Sequence, residues 1–260
     1  MALTLPAPPL RDRPEAPCFT GPPIFLSGCN RGGTTIMARL LSAHPEVRNV
    51  GRGQFCEGQY IWRRRFRDFS RHRWAIRPWL WHMRKTEEHA TPELLEFFRR
   101  EFLAALDGKG RMMEKTPANA VRIPFIDRLY PDCQFVHVIR DGRHTTASLI
   151  ARRVLPPYAP HQWVGAHRTA LADLARIAPE RVTLVRYERL IQEPEQTLEE
   201  ICRRTGLDWS ESSRQQMLAA AAGSLENPAS RWERFWPLQK RYILSVIGPL
   251  QAELGYPVEE

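Results

Sequence analysis

Short apolar runs alternate with amphipathic stretches along most of this chain. Ile24–Ser27 is an apolar run that ends in a glycine-rich turn, and apolar residues then recur at helical spacing up to His44-Pro45. Phe135–Ile139, rich in β-branched residues, has the pattern of a buried strand, and Val182–Arg186 has the pattern of a third strand. The pattern therefore predicts a strand, a loop and a helix near the start of the chain, and two further strands later.

Three amphipathic segments predict helices between and after these strands. The first spans 92–106, with Thr91 as its N-cap and Pro92 in its first turn. The second follows Arg140-Asp141-Gly142 over about 143–153, and the third is Pro194–Thr205, which Gly206 ends. Alternating strands and helices indicate an α/β fold, a parallel sheet flanked by helices on both faces.

The chain has 260 residues, enough for one large domain. Met1–Pro23 contains seven prolines and no apolar signal region, so we expect a proline-rich tail over 1–23 and one domain over 24–260. Within that domain, about 57–108 is expected to be a helical, basic lid or acceptor region. No apolar run approaches the roughly 20 residues that a membrane-spanning helix needs.

The positive charge is concentrated in one segment of this domain. The chain has a net charge of +9, and residues 61–85 contain nine Lys or Arg and a single acid, Asp68. Tryptophans and phenylalanines are interleaved with these cations. A lid with buried tryptophans and solvated arginines is the plainest interpretation. A surface that recruits an anionic or amphiphilic acceptor, or a membrane, stays open, and nucleic acid is the least supported partner because no base-reading motif is present.

The cysteines and histidines do not predict a metal site or a disulfide framework. Five cysteines are scattered without a CxxC pair, and the eight histidines include no HxxxH pair. We therefore expect reduced thiols, a cytoplasmic protein and no metal.

The turn after the first strand has the spacing of a phosphate-binding loop. Gly28–Thr35 fits GxxxxGK[ST], except that Thr34 stands where the lysine belongs. Backbone amides and the N-terminus of the following helix can bind an anion there. Without the lysine that reaches a β- or γ-phosphate, the loop suits a nucleotide with a single 5′-phosphate group, and Arg31 supplies positive charge. A glycine-rich turn without a ligand is the alternative.

A series of motifs in the right order resembles the sulfotransferase family, over roughly residues 24 to 257. Arg31–Thr35 resembles the RSGTT loop, with Gly32 in place of serine, and Glu114–Pro117 resembles the EKTP segment. Arg140–Arg143 with Ser148 is similar to the family's RDGR and serine, and Arg186–Leu190 to its RYE-x-L strand end. Further on, 227–232 resembles the Ser-Lys/Arg-Trp gate. Bacterial members, and more distantly tyrosylprotein sulfotransferases, have the most similar pattern.

The resemblance implies a donor, 3′-phosphoadenosine-5′-phosphosulfate, and adenosine 3′,5′-bisphosphate as the product. It implies that Asn30, Gly32, Gly33, Thr34 and Thr35 hold the 5′-phosphate. It implies that Arg140 and Ser148 hold the 3′-phosphate. It also implies that Tyr187 and Arg231 make further contacts with the donor. If Arg140 is not part of this site, a strand-end salt bridge between Arg140 and Asp141 is the ordinary alternative.

The reaction implied is transfer of a sulfuryl group to an acceptor hydroxyl or amine, by in-line displacement without a metal. Arg31 and Lys115 are the candidates that stabilise the leaving group, and Ser230 matches a supporting serine. The base is less well defined, because Gly51 and Arg52 occupy the place of the acidic pair in the tyrosylprotein branch. Glu57 is the candidate general base and His44 the alternative, although a helix-start carboxylate and a packing histidine are their ordinary roles.

Two other classes of function remain open at this point. A P-loop kinase or other phosphotransferase would need the loop lysine that Thr34 replaces. A non-catalytic binder of anionic surfaces, built around 61–85, would show steep salt dependence and no preference among nucleotides. The acceptor stays open among small molecules, glycans, lipids and peptides, and the oligomeric state is not predicted.

Overall fold

A computed structural model of the chain describes residues 18–66, 73–76, 79–222 and 231–259. Six parallel strands form its sheet, and β2 lies at the centre in the order β1-β4-β2-β5-β6, with β3 also pairing with β4. The strands are β1 (Cys18–Phe19), β2 (Ile24–Gly28), β3 (Val47–Asn49), β4 (Lys109–Lys115), β5 (Gln134–Ile139) and β6 (Val182–Arg186). The predicted parallel α/β sheet is thus confirmed.

The helices form a layer on each face of the sheet. They are α1 (Thr34–Ser42), α2 (Gln59–Trp62), α3 (Trp79–Met83), α4 (Pro92–Ala105), α5 (Ile123–Leu129), α6 (Gly142–Ile150), α7 (Ala159–Leu174), α8 (Tyr187–Gln192), α9 (Pro194–Thr205), α10 (Glu211–Ala222) and α11 (Pro237–Glu253). Single 3₁₀ turns occupy Glu87–His89, Pro117–Val121, Pro179–Arg181 and Arg231–Arg234.

Side chains of the central strand alternate between two hydrophobic cores. Phe25 packs into a core with residues of α4, α5, α7 and α11, whereas Ile24 and Leu26 pack into a second core with residues of α1, α9 and α10. Alternation with a period of two is the geometry of a strand whose two faces are both covered. Burial on both faces explains why the strand is continuously apolar in sequence.

The strongest local signals predict the helix ends well. Helix α9 has the predicted bounds, and Gly206 ends it with a left-handed φ of 70°. Helix α4 begins after Thr91, whose Oγ1 accepts a hydrogen bond from the amide of Leu94 at 3.4 Å. Asp141 caps α6 by accepting a hydrogen bond from the amide of Arg143 at 2.8 Å.

Sequence patterns left several elements without a prediction. Strand β4 carries Arg111, Glu114 and Lys115 and therefore lacks an apolar pattern, yet all but its first residue are buried. Strand β1 pairs with the start of β4, so the sheet begins within the segment assigned to the tail. Helices α7 and α11 carry polar residues that tertiary contacts bury, among them His167 and Gln251.

The described part of the basic segment packs its aromatic side chains inward. Trp62, Phe66 and Trp74 are buried, whereas Arg63, Arg64 and Arg65 are exposed. Trp62 lies against Phe98, with ring centroids 4.9 Å apart. The described tryptophans are buried and the described arginines solvated, as predicted, and the role of a lid stays a prediction. Arg67 and Arg71 lie outside the described residues, as do the side chains of Trp79 and Trp81. Within the described residues, no helix is both long and apolar enough to cross a membrane.

Candidate active site

The loop between β2 and α1 has a backbone that only glycine can adopt at a key position. Gly33 has a φ of 96°, and a Cβ built there would come within 2.3 Å of the Tyr187 ring. Arg31 is itself in the left-handed region, with a φ of 67°. The loop therefore turns sharply and presents the N-terminus of α1, with Thr34 and Thr35 as its first two residues. Such a turn is a suitable cradle for a phosphate.

Four arginines gather at this loop. Arg31 donates from Nε to Ser148 Oγ at 3.1 Å, and Arg140 donates from Nη1 to the carbonyl oxygen of Arg31 at 3.4 Å. Burial lowers the pKa of Arg31, and the positive charges of Arg152, Arg231 and Arg140 lower it further. Cations held this close to one another can bind an anion, which would relieve their mutual repulsion.

Tyr187 closes this cluster from the end of β6. The Arg140 guanidinium lies 4.6 Å from the centroid of the Tyr187 ring, which in turn covers Gly33. Arg140 Nε is buried and has no hydrogen-bond partner among the described residues. An unsatisfied buried guanidinium nitrogen is costly, and a phosphate oxygen would satisfy it. The residues present therefore fit a nucleotide with more than one phosphate group.

Arg140 does not make the ordinary salt bridge with its neighbour. Asp141 instead pairs with Arg143 at 2.8 Å, while its backbone amide donates to Glu188 at 3.0 Å. The strand-end ion pair between Arg140 and Asp141 is therefore absent from the described structure. The Arg140 guanidinium instead donates a hydrogen bond to the loop, at the carbonyl oxygen of Arg31.

A lysine and a carboxylate meet at the other side of the loop. Lys115 Nζ, at the end of β4, lies 3.2 Å from Thr35 Oγ1 and 3.2 Å from Glu57 Oε1. The Lys115 side chain is fully buried, whereas that of Glu57 is 26% exposed. Burial lowers the pKa of Lys115, although the nearby Glu57 carboxylate acts to raise it. The end of β4 and the loop after β3 thus bring together two residues that are 58 positions apart in sequence.

The backbone around Glu57 explains how this carboxylate is positioned. Glu57 exchanges two backbone hydrogen bonds with Arg52, and the amide of Gly58 donates to the carbonyl oxygen of Lys115 at 3.1 Å. A Cβ at Gly58 would lie 2.5 Å from the Glu114 carboxylate, so glycine is needed there. Thr116 and Asn119 donate hydrogen bonds to that buried carboxylate. Glu114 is therefore a structural neighbour of the site.

A cavity of about 260 Å³ connects the loop with the Glu57 carboxylate. Asn30, Arg31, Thr34 and Thr35 line one side of it. The other residues that line it are Phe55, Glu57, Gln59, Arg63, Trp74, Thr116, Pro117, Ala118 and Arg152. The cavity mixes aromatic, apolar and cationic walls, which suits an acceptor that has an aromatic or apolar body.

Trp74 and Arg152 are site residues that sequence reasoning missed. Trp74 Nε1 donates a hydrogen bond to Asn30 Oδ1 in the loop, and the neighbouring amide of Ala75 donates to Gln162 Oε1 at 3.0 Å. Trp74 was recognised only as one aromatic residue of the basic segment, and Arg152 had no motif around it. Their proximity to the loop is visible only in three dimensions.

The remaining candidates have clear positions in the structure. His44 is buried and lies 2.7 Å from the carbonyl oxygen of Asp208, so it packs against the chain away from the loop. Arg231 is the first described residue after 223–230, which lie outside the described ranges, and it lies near Arg31. Ser230 is itself outside those ranges. Among the described residues, no group of three His, Cys, Asp or Glu side chains could hold a metal ion.

Comparisons with known proteins identify relatives of this chain. A sequence profile described as "Sulfotransferase family" matches residues 22–211. A candidate protein-tyrosine sulfotransferase of Caenorhabditis briggsae is 31% identical over 205 residues, which is 75% of this chain and 68% of that protein. Protein-tyrosine sulfotransferase 2 of Gallus gallus is 25% identical over 90% of this chain and 69% of its own length.

Solved structures share the fold at much lower sequence identity. Sulfotransferase STF9 of Mycobacterium avium superposes with a TM-score of 0.64 at 14% identity, covering 90% of this chain and 77% of that one. The sulfotransferase domain of the curacin biosynthetic pathway has a TM-score of 0.59 at 16% identity, covering 93% and 100%. Mouse SULT7A1, crystallised with PAP, has a TM-score of 0.50 at 10% identity, covering 90% and 89%.

Proposed function

This chain belongs to the sulfotransferase family, and we propose that it transfers a sulfuryl group from 3′-phosphoadenosine-5′-phosphosulfate to an acceptor hydroxyl. The observation that carries the proposal is the cluster of Arg31, Arg140, Arg152 and Arg231 at a glycine loop without lysine. A donor with phosphates at both ends of its ribose would neutralise these cations. A triphosphate would need the missing loop lysine.

The donor contacts follow from this geometry. In our proposal the loop amides of 30–33, with Thr34 and Thr35, hold the 5′-phosphate at the start of α1. Arg140 and Ser148 hold the 3′-phosphate, together with Arg231. Tyr187 supports the Arg140 guanidinium through its ring. The donor supplies the activated sulfuryl group, and the protein positions it for in-line displacement.

We propose that Glu57 takes up the proton of the acceptor and that Lys115 stabilises the charge of the leaving group. Glu57 accepts the proton of the acceptor hydroxyl, because it is the partly exposed carboxylate that lines the cavity. Lys115, buried beside Thr35, neutralises the charge that develops on the leaving phosphate oxygen. Arg31, in the loop, helps to neutralise the same charge. Ser230 remains a candidate for a supporting hydrogen bond, from resemblance to the family alone.

A thermal-shift comparison tests the donor assignment. Adenosine 3′,5′-bisphosphate at a hundredfold excess over its Kd should raise the Tm by roughly 5 °C or more. ADP, or ATP with Mg²⁺, should raise the Tm much less. Arg140→Gln should abolish the difference while leaving the unliganded Tm near its original value. Equal stabilisation by all three nucleotides would contradict the proposal.

The acceptor that the relatives suggest is a tyrosine hydroxyl, since their names are those of protein-tyrosine sulfotransferases. The aromatic and apolar residues of the cavity, Phe55, Trp74 and Pro117, support an aromatic acceptor. Transfer of a labelled sulfuryl group to a tyrosine peptide, compared with its phenylalanine counterpart, tests this. Labelling of both peptides to the same extent would exclude tyrosine as the acceptor.

We also propose that the protein works in a reducing compartment such as the cytoplasm. The support is that Cys29, Cys133 and Cys202 are buried single thiols whose pKa values are raised by burial. Such thiols act as packing residues. Unchanged activity in the presence of dithiothreitol is expected, and a loss of activity on reduction would argue for a disulfide.

A further inference from the structure

Exposed apolar side chains gather around the start of α11 and the loop after α6. Eight large hydrophobic residues are exposed among the described residues, and four of them lie close to the ends of α6 and α11. These are Leu155, Trp236, Leu238 and Tyr242, with exposed fractions of 57%, 77%, 80% and 39%. They do not line a groove, because the two at the start of α11 are exposed over most of their surface. Concentrated, protruding apolar residues mark an interaction surface.

The two chain segments that carry these residues are in contact. The Tyr242 hydroxyl donates a hydrogen bond to the carbonyl oxygen of Pro157 at 3.0 Å, which joins α11 to the loop after α6. Leu238 and Tyr242 are four residues apart on α11 and so lie on the same side of that helix. We refer to segments 150–158 and 231–242 together as the α6–α11 surface.

The α6–α11 surface is strongly basic. It contains Arg152, Arg153, Arg231, Arg234, Lys240 and Arg241, and its only acid is Glu233, which gives a net charge of +5. Lys240 lies 3.4 Å from Glu233 and is largely covered, so the arginines dominate the exposed charge. Arginines next to a protruding tryptophan and leucine are the composition of a surface that binds at the boundary of an anionic bilayer.

We propose that the α6–α11 surface docks on an anionic lipid bilayer. Trp236 and Leu238 insert among the headgroups, and Arg153, Arg234 and Arg241 pair with lipid phosphates. A second copy of the chain is a poorer occupant, because two such surfaces would place like charges face to face. A folded acidic protein would have to offer a pocket for each of these protruding side chains, whereas a bilayer accepts them anywhere on its surface. Nucleic acid is also a poorer occupant, because Leu155 and Leu238 offer no face on which bases could stack beside Trp236 and Tyr242, whereas all four side chains can enter a bilayer.

The surface adjoins the candidate active site. Arg152 lines the cavity. The positive charges of Arg152 and Arg231 both lower the pKa of Arg31, so both arginines lie near the loop. A bilayer docked there lies beside the cavity entrance, where an acceptor presented at a membrane would arrive. Docking itself needs neither donor nor acceptor, so it is tested independently of the proposed reaction.

Co-sedimentation with vesicles tests the docking. The full chain should bind vesicles of phosphatidylglycerol and phosphatidylcholine in equal parts, and bind pure phosphatidylcholine vesicles far more weakly. Since an arginine near an anionic surface contributes about fivefold to affinity, Arg234→Gln with Arg241→Gln should weaken binding by about 25-fold. Trp236→Ser with Leu238→Ser should weaken it by a similar factor. Leu184→Ser with Arg203→Gln, exposed residues on β6 and α9, is the matched control and should bind as the unaltered chain does.

Two further measurements separate docking from misfolding and from other partners. Each variant should keep the Tm increase given by adenosine 3′,5′-bisphosphate, which reports an intact site. Brominated lipids should quench tryptophan fluorescence in the unaltered chain and much less in Trp236→Phe. Equal vesicle binding by all variants would overturn the proposal. So would binding to soluble polyglutamate, but not to vesicles, with the same dependence on Arg234 and Arg241, since it would identify an acidic protein as the occupant.

Discussion

At the residue scale, Lys115 lies in an environment that is unusual for a lysine. A lysine is seldom fully buried, because removal of its charge from water is costly. Here one carboxylate and one hydroxyl surround it at 3.2 Å each. The fold therefore holds a cation at the end of β4 at a cost in stability, which is typical of residues kept for function.

Substitution of the two members of this pair should have different kinetic effects. Lys115→Met should lower kcat by about 100-fold or more with a small change in donor Kd, because its charge acts mainly on the leaving group. Glu57→Gln should also lower kcat by about 100-fold, but the loss should be much smaller with an acceptor whose hydroxyl is already ionised, because no proton then has to be removed. Steady-state kinetics with acceptors that differ in hydroxyl acidity would distinguish the two. If Glu57→Gln keeps full turnover, Glu57 is not the base.

Gly33 and Gly108 form a matched pair for testing the loop. Both have a positive φ, 96° and 73°, but a Cβ at Gly33 meets the Tyr187 ring whereas nothing lies within 4 Å at Gly108. Alanine at either position should cost about 1 kcal/mol of backbone strain. Only Gly33→Ala should also lose the Tm increase given by adenosine 3′,5′-bisphosphate. The same loss in Gly108→Ala would show that strain alone explains the effect.

At the element scale, a buried chain of polar groups joins β2, β5 and α7. Ser27 Oγ lies 2.8 Å from His137 Nδ1, and His137 Nε2 lies 2.9 Å from His167 Nδ1. Burial lowers the pKa of His137 to about 3, and it also lowers the pKa of His167. Both imidazoles are therefore neutral in the folded protein at ordinary pH, and they connect the strands below the loop to α7.

This pair should make the fold sensitive to acid. The unfolded chain binds protons on both histidines below about pH 6.5 while the folded chain does not, so stability falls as pH drops from about 6.5 toward 3. The equilibrium constant of unfolding should rise by up to about tenfold per pH unit for each histidine. Urea unfolding at a series of pH values should show a shallower slope for the double variant His137→Leu and His167→Leu. An unchanged slope would mean that these histidines are protonated in the folded state.

At the scale of the whole molecule, charge is distributed unevenly over a chain of net charge +9. Many surface arginines are neutralised by ion pairs, for example Arg189 with Glu200 at 2.7 Å and Arg214 with Glu195 at 2.6 Å. The arginines at the loop instead face one another. A positive potential around the cavity entrance should attract an anionic donor.

The rate of donor association should therefore depend on salt. Between low and physiological ionic strength, the association rate of adenosine 3′,5′-bisphosphate should fall by about tenfold. Adenosine, which has no phosphate, should show no such change. Stopped-flow fluorescence measures both rates, and a salt-independent rate for the bisphosphate would rule out electrostatic attraction by the arginines.

The sequence by itself determined the elements whose signals are local. These are the apolar strands β2, β5 and β6, the capped helices α4 and α9, and the glycine loop whose spacing indicates a phosphate. It also pointed to Lys115 and Glu57 separately, through a family resemblance. Apolar periodicity and capping residues act within a few positions along the chain, which is why they can be read from it.

The tertiary structure decided which distant residues meet. Strand β4 is polar in sequence and is recognisable as a strand only through its partners β2 and β3. Lys115 contacts Glu57, and Trp74 contacts Asn30. Arg152 and Arg231 both approach Arg31. These pairs are 44 to 200 residues apart in sequence. Parallel pairing brings strand ends to one edge of the sheet whatever their separation in sequence, and no local pattern encodes that distance.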